Sequence, residues 1–349
     1  MLAEPSVGAK LCEPEYRRRM KDTYKREIKY LRISLTELCN LRCRYCMPEE
    51  GVCKKSHEEM MTQEDIIRAV KVASKLGVTK IRLTGGEPLV KKDIVQLVAK
   101  IKEVGGIEEI CITTNAALLP KYAKDLKTAG LNRINISLDT LKPEKFKYIT
   151  RVGELKDTLD GIDAALSIGF DKIKINSVLI GGFNDDEIVD LANLTLKQAT
   201  DVRFIELMPM YDSGDFGKAA FIPSTIVIDK IKEFYKGKFE NDDMIIVPVE
   251  TEKGTVAKTY RINGAMANVG LISAVSNHFC SECNRIRLTA DGKLKPCLHS
   301  NQEILIKGLD ENAMEEKFRE AILAKPEKHD VLSYENRSHA ERNMNQIGG

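Results

Sequence analysis

Six of the nine cysteines fall into two triplets whose spacing is typical of metal ligands. Cys39, Cys43 and Cys46 form the first triplet, with the pattern C-x3-C-x2-C. A structural zinc site usually takes four protein ligands, and a ferredoxin-type iron–sulfur cluster takes four thiolates. Three thiolates in one short segment therefore favour a 4Fe–4S cluster whose fourth iron is open to another molecule. Zinc completed by a distant ligand such as His57 is the alternative interpretation.

The second triplet consists of Cys280, Cys283 and Cys297, and a predicted β-hairpin separates its last two members. It again offers three thiolates, which indicates a second cluster with an open iron. A zinc knuckle that uses His278 or His299 is the alternative.

The register of this hairpin decides which side chains accompany the cysteines. A three-residue loop at 290–292, with Gly292 in the left-handed conformation, places Arg285 opposite Cys297. A two-residue loop would place Ile286 there instead, on the other face. We predict the first register, in which one face carries Cys283, Arg285, Arg287 and Cys297.

Three cysteines lie outside the triplets. Cys12 is in a polar N-terminal segment, and Cys111 is in an apolar strand, where a buried free thiol is expected. Cys53 follows the first triplet closely enough to be a spare ligand, but no spacing argument requires it.

Basic residues occur in segments that otherwise resemble buried strands. Lys80, Arg82 and Thr84 alternate and share one strand face, and Arg32 and Arg203 lie in two other strands. An unpaired buried charge costs several kcal/mol, so these side chains should face a carboxylate or another anion. One interpretation is pairing with Glu87, Asp139 and Glu206. The other is a phosphate-bearing substrate, which the additional cations Arg285 and Arg287 favour.

Polar residues also end successive strands, in the segments 113–115, 137–139, 174–176 and 206–208. Each segment alone could be a turn or a helix cap. Because the carboxyl ends of parallel strands lie at one edge of a sheet, their recurrence predicts a binding site at that mouth. The first cysteine triplet follows the first strand at the same edge.

Six strand–helix units between about Tyr30 and Glu206 position these residues. The predicted strands are Leu31–Thr36, Lys80–Thr84, Glu109–Thr114, Arg133–Leu138, Lys172–Leu179 and Val202–Leu207. Apolar periodicity predicts helices over 62–76, 91–103, 120–129, 157–168 and 185–198, with Gly77, Gly105, Gly130 and Gly169 closing four of them. The alternation implies a parallel α/β sheet with right-handed crossovers, which either curls into a barrel or partial barrel or stays doubly wound.

The pattern changes after about Tyr235. Met244–Val249, Thr255–Ile262 and Arg285–Leu288 are predicted strands without helices between them, and a last helix is predicted over 312–323. We therefore predict four regions: an N-terminal extension (1–29), an α/β body (30–240), a small α+β module with the second triplet (241–325) and a tail ending in Gly348-Gly349 (326–349).

The composition is that of an ordinary globular chain. Of its 349 residues, 54 are Lys or Arg and 52 are Asp or Glu, and the net charge of +2 argues against a nucleic-acid polymer as partner. No run of roughly 18 apolar residues and no signal-peptide pattern occurs. We therefore expect a cytoplasmic protein without a membrane segment, in a compartment where cysteines bind metals or catalyse more often than they form disulfides.

The first triplet, with Tyr45 before its last cysteine, and the segment Gly85-Gly86-Glu87-Pro88 resemble the signature of radical S-adenosylmethionine (SAM) enzymes. The chain is also similar to the GTP 3′,8-cyclase family of molybdenum cofactor biosynthesis in segments 30–36, 46–51, 80–89, 203–206 and 279–294 and in the terminal Gly-Gly. This resemblance implies an incomplete (β/α)6 TIM-like barrel with a C-terminal module that carries a second 4Fe–4S cluster. It implies conversion of GTP to (8S)-3′,8-cyclo-7,8-dihydroguanosine 5′-triphosphate, in which a 5′-deoxyadenosyl radical derived from SAM removes the ribose C3′ hydrogen.

The resemblance also assigns roles to individual residues. The first cluster would bind SAM at its open iron, and the second would hold the guanine. Contacts to SAM are expected from Tyr45, Gly86, Ser137 and Met208. GTP would be bound by Arg32, Lys80, Arg82, Thr113, Lys174, Arg203, Arg285, Ile286 and Arg287, of which Arg32, Arg285 and Arg287 would be catalytic.

The partners that the resemblance implies are a reductant such as flavodoxin or ferredoxin and, for the product, cyclic pyranopterin monophosphate synthase; it also allows a homodimer. Three positions depart from the family pattern: Lys25 and Ala116 stand where glycine is usual, and Gly181 replaces a common arginine. The alternatives are a peptide-modifying radical enzyme and a non-enzymatic iron–sulfur electron carrier or sensor. The segment Asn284–Arg287 disfavours the first, and two open-iron triplets disfavour the second.

Overall fold

The computed structural model describes residues 19–210, 216, 220–251, 254–330, 332, 337–338 and 340–348. Six parallel strands lie side by side in chain order, and at least one helix connects each strand to the next. The strands are β1 (Tyr30–Ser34), β2 (Lys80–Thr84), β3 (Glu109–Thr114), β4 (Arg133–Ser137), β5 (Lys172–Leu179) and β6 (Thr200–Glu206). In the described chain β1 and β6 pair with other strands and not with each other. A doubly wound sheet reverses its strand order at one point, whereas the order β1 to β6 follows the chain without reversal, so the sheet is a partial barrel, as predicted.

The connecting helices bury the outer face of these strands. They are α1 (Gln63–Lys75), α2 (Ile94–Lys102), α3 (Leu119–Thr128), α4 (Pro143–Thr150), α5 (Leu155–Ile168), α6 (Ile188–Ala192) and α7 (Leu194–Lys197). Their apolar residues form one hydrophobic core with strand residues such as Ile33 and Ile81. A capping box between Thr62 and Asp65 starts α1, and the left-handed Gly169 ends α5 as predicted.

The C-terminal part of the chain extends the same sheet at both ends. It contains the strands β7 (Ile246–Val249), β8 (Lys258–Ile262), β9 (Val269–Ile272), β10 (Arg285–Leu288), β11 (Lys293–Lys295) and β12 (Ile304–Leu305), and the helices α8 (Ile226–Tyr235), α9 (Glu311–Leu323) and α10 (Met344–Ile347). β9 pairs in parallel with β6, and β10 pairs in parallel with β1. The hairpin of the second triplet therefore lies directly beside the first strand. The division of the chain at residue 240 stays a prediction.

The differences from the predicted elements have local causes. The sequence pattern does not predict α4, because this helix is short, opens with Pro143 and buries only two large apolar residues. It does not predict α8, β9 or β12 either. The single helix expected over 185–198 is two short helices that meet at Asn193. Gly106, and not Gly105, adopts the left-handed conformation after α2.

Two of the departures from the family pattern keep the backbone that glycine would adopt. Lys25 and Ala116 both have a φ of 65°, in the left-handed region where a side chain is strained. Both positions thus have a conformation that favours glycine, although neither residue is glycine.

Within the described residues, no helix is both long enough and apolar enough to cross a membrane.

Candidate active site

The first cysteine triplet lies in the loop between β1 and α1. Hydrogen bonds from Cys46 N and Met47 N to Cys43 O fold this loop into a tight turn. Burial raises the pKa of Cys39 to about 11, and burial together with the charge of Cys39 raises the pKa of Cys46 to about 12. Thiols that influence each other's ionisation lie close together, so the loop gathers three sulfur donors.

As the side chains stand, no three Cys, His, Asp or Glu residues of the described chain are arranged to hold a metal ion. The donor chemistry of the loop nevertheless fits a cluster with one open iron, because three partly buried thiols share one turn at the mouth of the barrel. Asn115 extends this environment from the end of β3, where its Nδ2 lies 3.9 Å from Cys39 Sγ.

The second triplet lies on and beside the hairpin of β10 and β11. Arg287 pairs with Lys295, and the three-residue loop ends at the left-handed Gly292. Continued outward, this register sets Arg285 opposite Cys297. The predicted register of the hairpin is therefore confirmed.

Cations surround the second triplet. Burial raises the pKa of Cys283, but the Lys325 ammonium and the Arg285 guanidinium outweigh burial and lower it to about 7. Cys283 and Cys297 lie close enough to Arg287 for their charges to act on its guanidinium. Because thiolates are the form that binds iron, these surroundings suit a cluster on the three cysteines.

The register of the sheet aligns basic residues from neighbouring strands. Arg287 of β10 lies beside Arg32 of β1, which lies beside Arg82 of β2. Burial and the neighbouring guanidinium groups lower the pKa of Arg32, and they lower that of Arg287 to about 10. The Nε atoms of Arg285 and Arg133 are buried and have no hydrogen-bond partner among the described residues. Such a group of like charges is stabilised when an anion binds between them.

The three carboxylates considered as partners of these cations bond elsewhere. Glu87 accepts hydrogen bonds from the end of β3, Asp139 accepts one from Tyr45, and Glu206 accepts hydrogen bonds from the loop 273–276. Burial raises the pKa of Glu87 to about 7 and that of Asp139 to about 6. The interpretation that Glu87, Asp139 and Glu206 neutralise the buried basic residues is therefore wrong.

Two other carboxylates bind part of the basic group. Glu109 pairs with Lys80 at 2.8 Å and with Arg133 at 2.8 Å, and Asp201 pairs with Lys174. Arg133 is not among the residues predicted to bind GTP, although it lies in register between β3 and β5, two strands from Arg82. An arginine within an otherwise apolar strand, as at Arg32 and Arg82, is the signal that identifies it.

Thr113 and Ile286, both expected to contact GTP, differ in what they can offer a ligand. Thr113 accepts a hydrogen bond from Arg82 at 3.1 Å and so lies within the basic group. The side chain of Ile286 belongs to the hydrophobic core, which leaves only its backbone for a ligand.

The residues expected at SAM lie around the first triplet. A Cβ atom at Gly86 would meet Leu38 O at 2.2 Å, so only glycine fits between the two loops. Tyr45 precedes Cys46 within the triplet loop, Ser137 ends β4, and Met208 follows β6. All four therefore lie at the carboxyl-end mouth of the barrel.

The C-terminal tail enters the same mouth. Arg287 donates hydrogen bonds to Ile347 O at 3.1 Å and to Gly348 O at 2.6 Å. Asn345 Nδ2 donates to Glu37 O at 3.2 Å, two residues before Cys39. The tail thus contacts a residue near each of the two triplets.

The remaining cysteines agree with their expected environments where the structure describes them. Cys111 is a buried free thiol that donates to Glu109 Oε1 at 2.7 Å, and Cys53 is exposed. Cys12 and the terminal Gly349 lie outside the described residues.

Comparison with known proteins identifies the class and then the family. The family model described as the Radical SAM superfamily matches residues 33–195, and the one described as Molybdenum Cofactor Synthesis C matches residues 200–331. SuiB of Streptococcus suis shares the fold, with a TM-score of 0.59 over 87% of this chain and 68% of SuiB at 16% identity. The chain is therefore a radical SAM enzyme. The GTP 3′,8-cyclases of Alkaliphilus oremlandii and Heliobacterium modesticaldum are 50% and 46% identical to it, over 95% of this chain and 100% of each relative. The chain belongs to the GTP 3′,8-cyclase family.

Proposed function

We propose that this enzyme binds SAM and GTP in one cavity and joins ribose C3′ of GTP to guanine C8, the reaction for which its relatives are named. The reaction would serve molybdenum cofactor synthesis, in agreement with the family model of the C-terminal part. The observation that supports the proposal best is the row of Arg287, Arg32 and Arg82: Arg287 lies on the hairpin of the second triplet, and Arg32 lies on the strand that leads into the first.

The first triplet would hold a 4Fe–4S cluster and SAM. When bound, this pair supplies a 5′-deoxyadenosyl radical that removes the C3′ hydrogen of GTP. The chain itself positions SAM: Gly86 allows close approach to its backbone, and the hydrogen bond from Tyr45 to Asp139, 2.7 Å long, keeps the tyrosine ring in place at the loop.

The basic residues of the barrel would bind the triphosphate of GTP. Guanidinium groups form paired hydrogen bonds with phosphate oxygens, and several are needed to balance the charge of a triphosphate. Arg203 and the ion-paired Lys80 and Lys174 line this part of the barrel, and their carboxylate partners keep the lysines in fixed positions before GTP binds.

The second triplet would hold a further 4Fe–4S cluster, which would offer an open iron to the guanine. Arg285 and Arg287 lie on the same hairpin, and the sheet register brings Arg32 beside Arg287. We assign these three arginines to the reacting centre, where they would orient the ribose and stabilise charge that develops on the guanine. The backbone of Ile286 would complete this contact.

The electron donor must reach the first triplet from outside. The loop lies at the surface, where Leu38 and Asn40 on either side of Cys39 are exposed. Flavodoxin or ferredoxin as donor, cyclic pyranopterin monophosphate synthase as recipient of the product, a homodimer and a cytoplasmic location remain proposals from the family.

The test is anaerobic incubation of the reconstituted enzyme with a reductant, SAM and each nucleoside triphosphate in turn. We expect 5′-deoxyadenosine to form in proportion to GTP, together with a cyclised guanine nucleotide. Equal turnover with ATP, or no turnover with GTP in a protein whose iron content is complete, would contradict the proposal.

A further inference from the structure

A buried lysine that is remote in sequence contacts the second triplet. Lys325 follows α9, and only 4% of it is exposed. Its Nζ donates to Pro296 O at 3.0 Å, directly before Cys297, and its ammonium lies near enough to Cys283 to favour the thiolate form of that side chain. One side chain therefore joins two members of the triplet.

Arg26 holds the segment that carries this lysine. Its guanidinium donates to Pro326 O at 2.6 Å, to Glu327 O at 2.9 Å and to Cys280 O at 2.7 Å. Asp22, whose side chain is fully buried, accepts from Arg26 Nε at 2.6 Å and fixes the orientation of the guanidinium. Cys280, the remaining cysteine of the triplet, is thus part of the same hydrogen-bond network.

The surroundings of Lys325 explain why a thiolate is its counter-ion. A buried ammonium needs an anionic partner as well as hydrogen-bond acceptors. Lys295, which is also buried, pairs with Glu303 at 3.3 Å. Lys325 has no such carboxylate among the described residues. Its hydrogen-bond acceptor there is Pro296 O, and the acidic group that its charge acts on is the Cys283 thiol.

We propose that Lys325 is a positioning residue of the second iron–sulfur site, that it donates a hydrogen bond to the Cys283 thiolate, and that Arg26 holds it there. The inference rests on the proposed second cluster. Hydrogen bonds to ligand sulfurs tune the potential of a cluster, and loss of such outer partners typically lowers metal affinity roughly 10- to 100-fold.

The test uses a full-length background in which Cys39, Cys43 and Cys46 are all Ala, so that only the second site can hold a cluster. In this background we compare Lys325→Met, Lys325→Arg and Arg26→Met with the matched control Lys295→Met, after anaerobic reconstitution and a challenge with a chelator. The background and the control should keep about four irons per chain. Lys325→Met and Arg26→Met should lose most of this iron, and Lys325→Arg should keep more than Lys325→Met.

The outcomes separate this inference from the proposed function. A background chain that binds no iron would overturn the second cluster and this inference with it. Full iron retention in Lys325→Met, with the EPR spectrum of the background, would overturn only the role of the lysine. If circular dichroism shows that Lys325→Met is unfolded, Lys325→Gln, which removes the charge but stays polar, decides. Loss of iron or a changed EPR spectrum in this variant supports the role of the lysine, and full iron with an unchanged spectrum contradicts it.

Discussion

Replacing Arg203 by Met should stabilise the ligand-free enzyme and weaken its use of GTP at the same time. Burial and the charges of Arg82 and Arg133 lower the pKa of Arg203 from 12.5 to about 10. A cation whose pKa is lower in the folded state than in the unfolded state destabilises the fold, and this cost is fully present below pH 10. Methionine keeps much of the apolar stem and removes the charge.

The size of both effects follows from this environment. A pKa lowered from 12.5 to about 10 corresponds to roughly 3 kcal/mol. Partial exposure of Arg203 and its attraction to Asp201 reduce the gain, so we expect about 1–2 kcal/mol and a rise of roughly 1–3 °C in the unfolding midpoint. Loss of a charge-assisted hydrogen bond to phosphate costs about 1.5–3 kcal/mol, which lowers kcat/KM for GTP roughly 10- to 150-fold.

The assay measures the thermal unfolding midpoint of the ligand-free protein under anaerobic conditions, and then kcat/KM for GTP after reconstitution. Arg203→Lys is the matched control, since it keeps the charge and should gain little stability. A lower unfolding midpoint combined with unchanged kcat/KM in Arg203→Met would refute the reasoning, because Arg203 would then be a structural residue and not a phosphate ligand.

Three further predictions concern other parts of the molecule. Cys297→Ala should still cleave SAM but form no cyclised nucleotide, and product formation, measured by chromatography, would show that the second site does not hold GTP. Lys25→Gly should raise the free energy of unfolding by about 1 kcal/mol, because it relieves the left-handed strain at φ 65°; Lys25→Ala keeps that strain and should show no such gain. Arg342→Ala should free the tail from Glu303 and Asp291, which Arg342 contacts at 2.5 Å and 2.8 Å. Hydrogen exchange in residues 343–348 should then increase and turnover should fall, whereas unchanged exchange would exclude Arg342 as the anchor.

Local patterns explain why much of the fold could be predicted. The six parallel strands lie within two residues of their predicted bounds, because strand and helix periodicity are properties of neighbouring residues. The hairpin register depends on a three-residue loop that ends at Gly292, again a local feature. The choice between barrel and doubly wound sheet depends on which strands pair, and periodicity carries no information on that choice.

The main error in the sequence-based interpretation concerns which acids pair with the basic residues. Glu87, Asp139 and Glu206 satisfy backbone and hydroxyl donors of nearby loops and strand ends, while Glu109 and Asp201 pair with the lysines. All five acids lie at strand ends or near them. Residue spacing does not indicate which side chain of a neighbouring strand or loop each acid contacts.

The sequence by itself determined the donor chemistry of this enzyme: two sets of three thiols, a surplus of arginine in buried strands and a glycine-rich turn after β2. Only the tertiary structure decided how these groups meet. Parallel pairing of β10 with β1 brings Arg287 beside Arg32 across more than half of the chain, and Arg26 reaches Pro326 across 300 residues. The physical reason is that residue type and spacing set which ligands a side chain can bind, whereas strand order and burial set its neighbours and its charge.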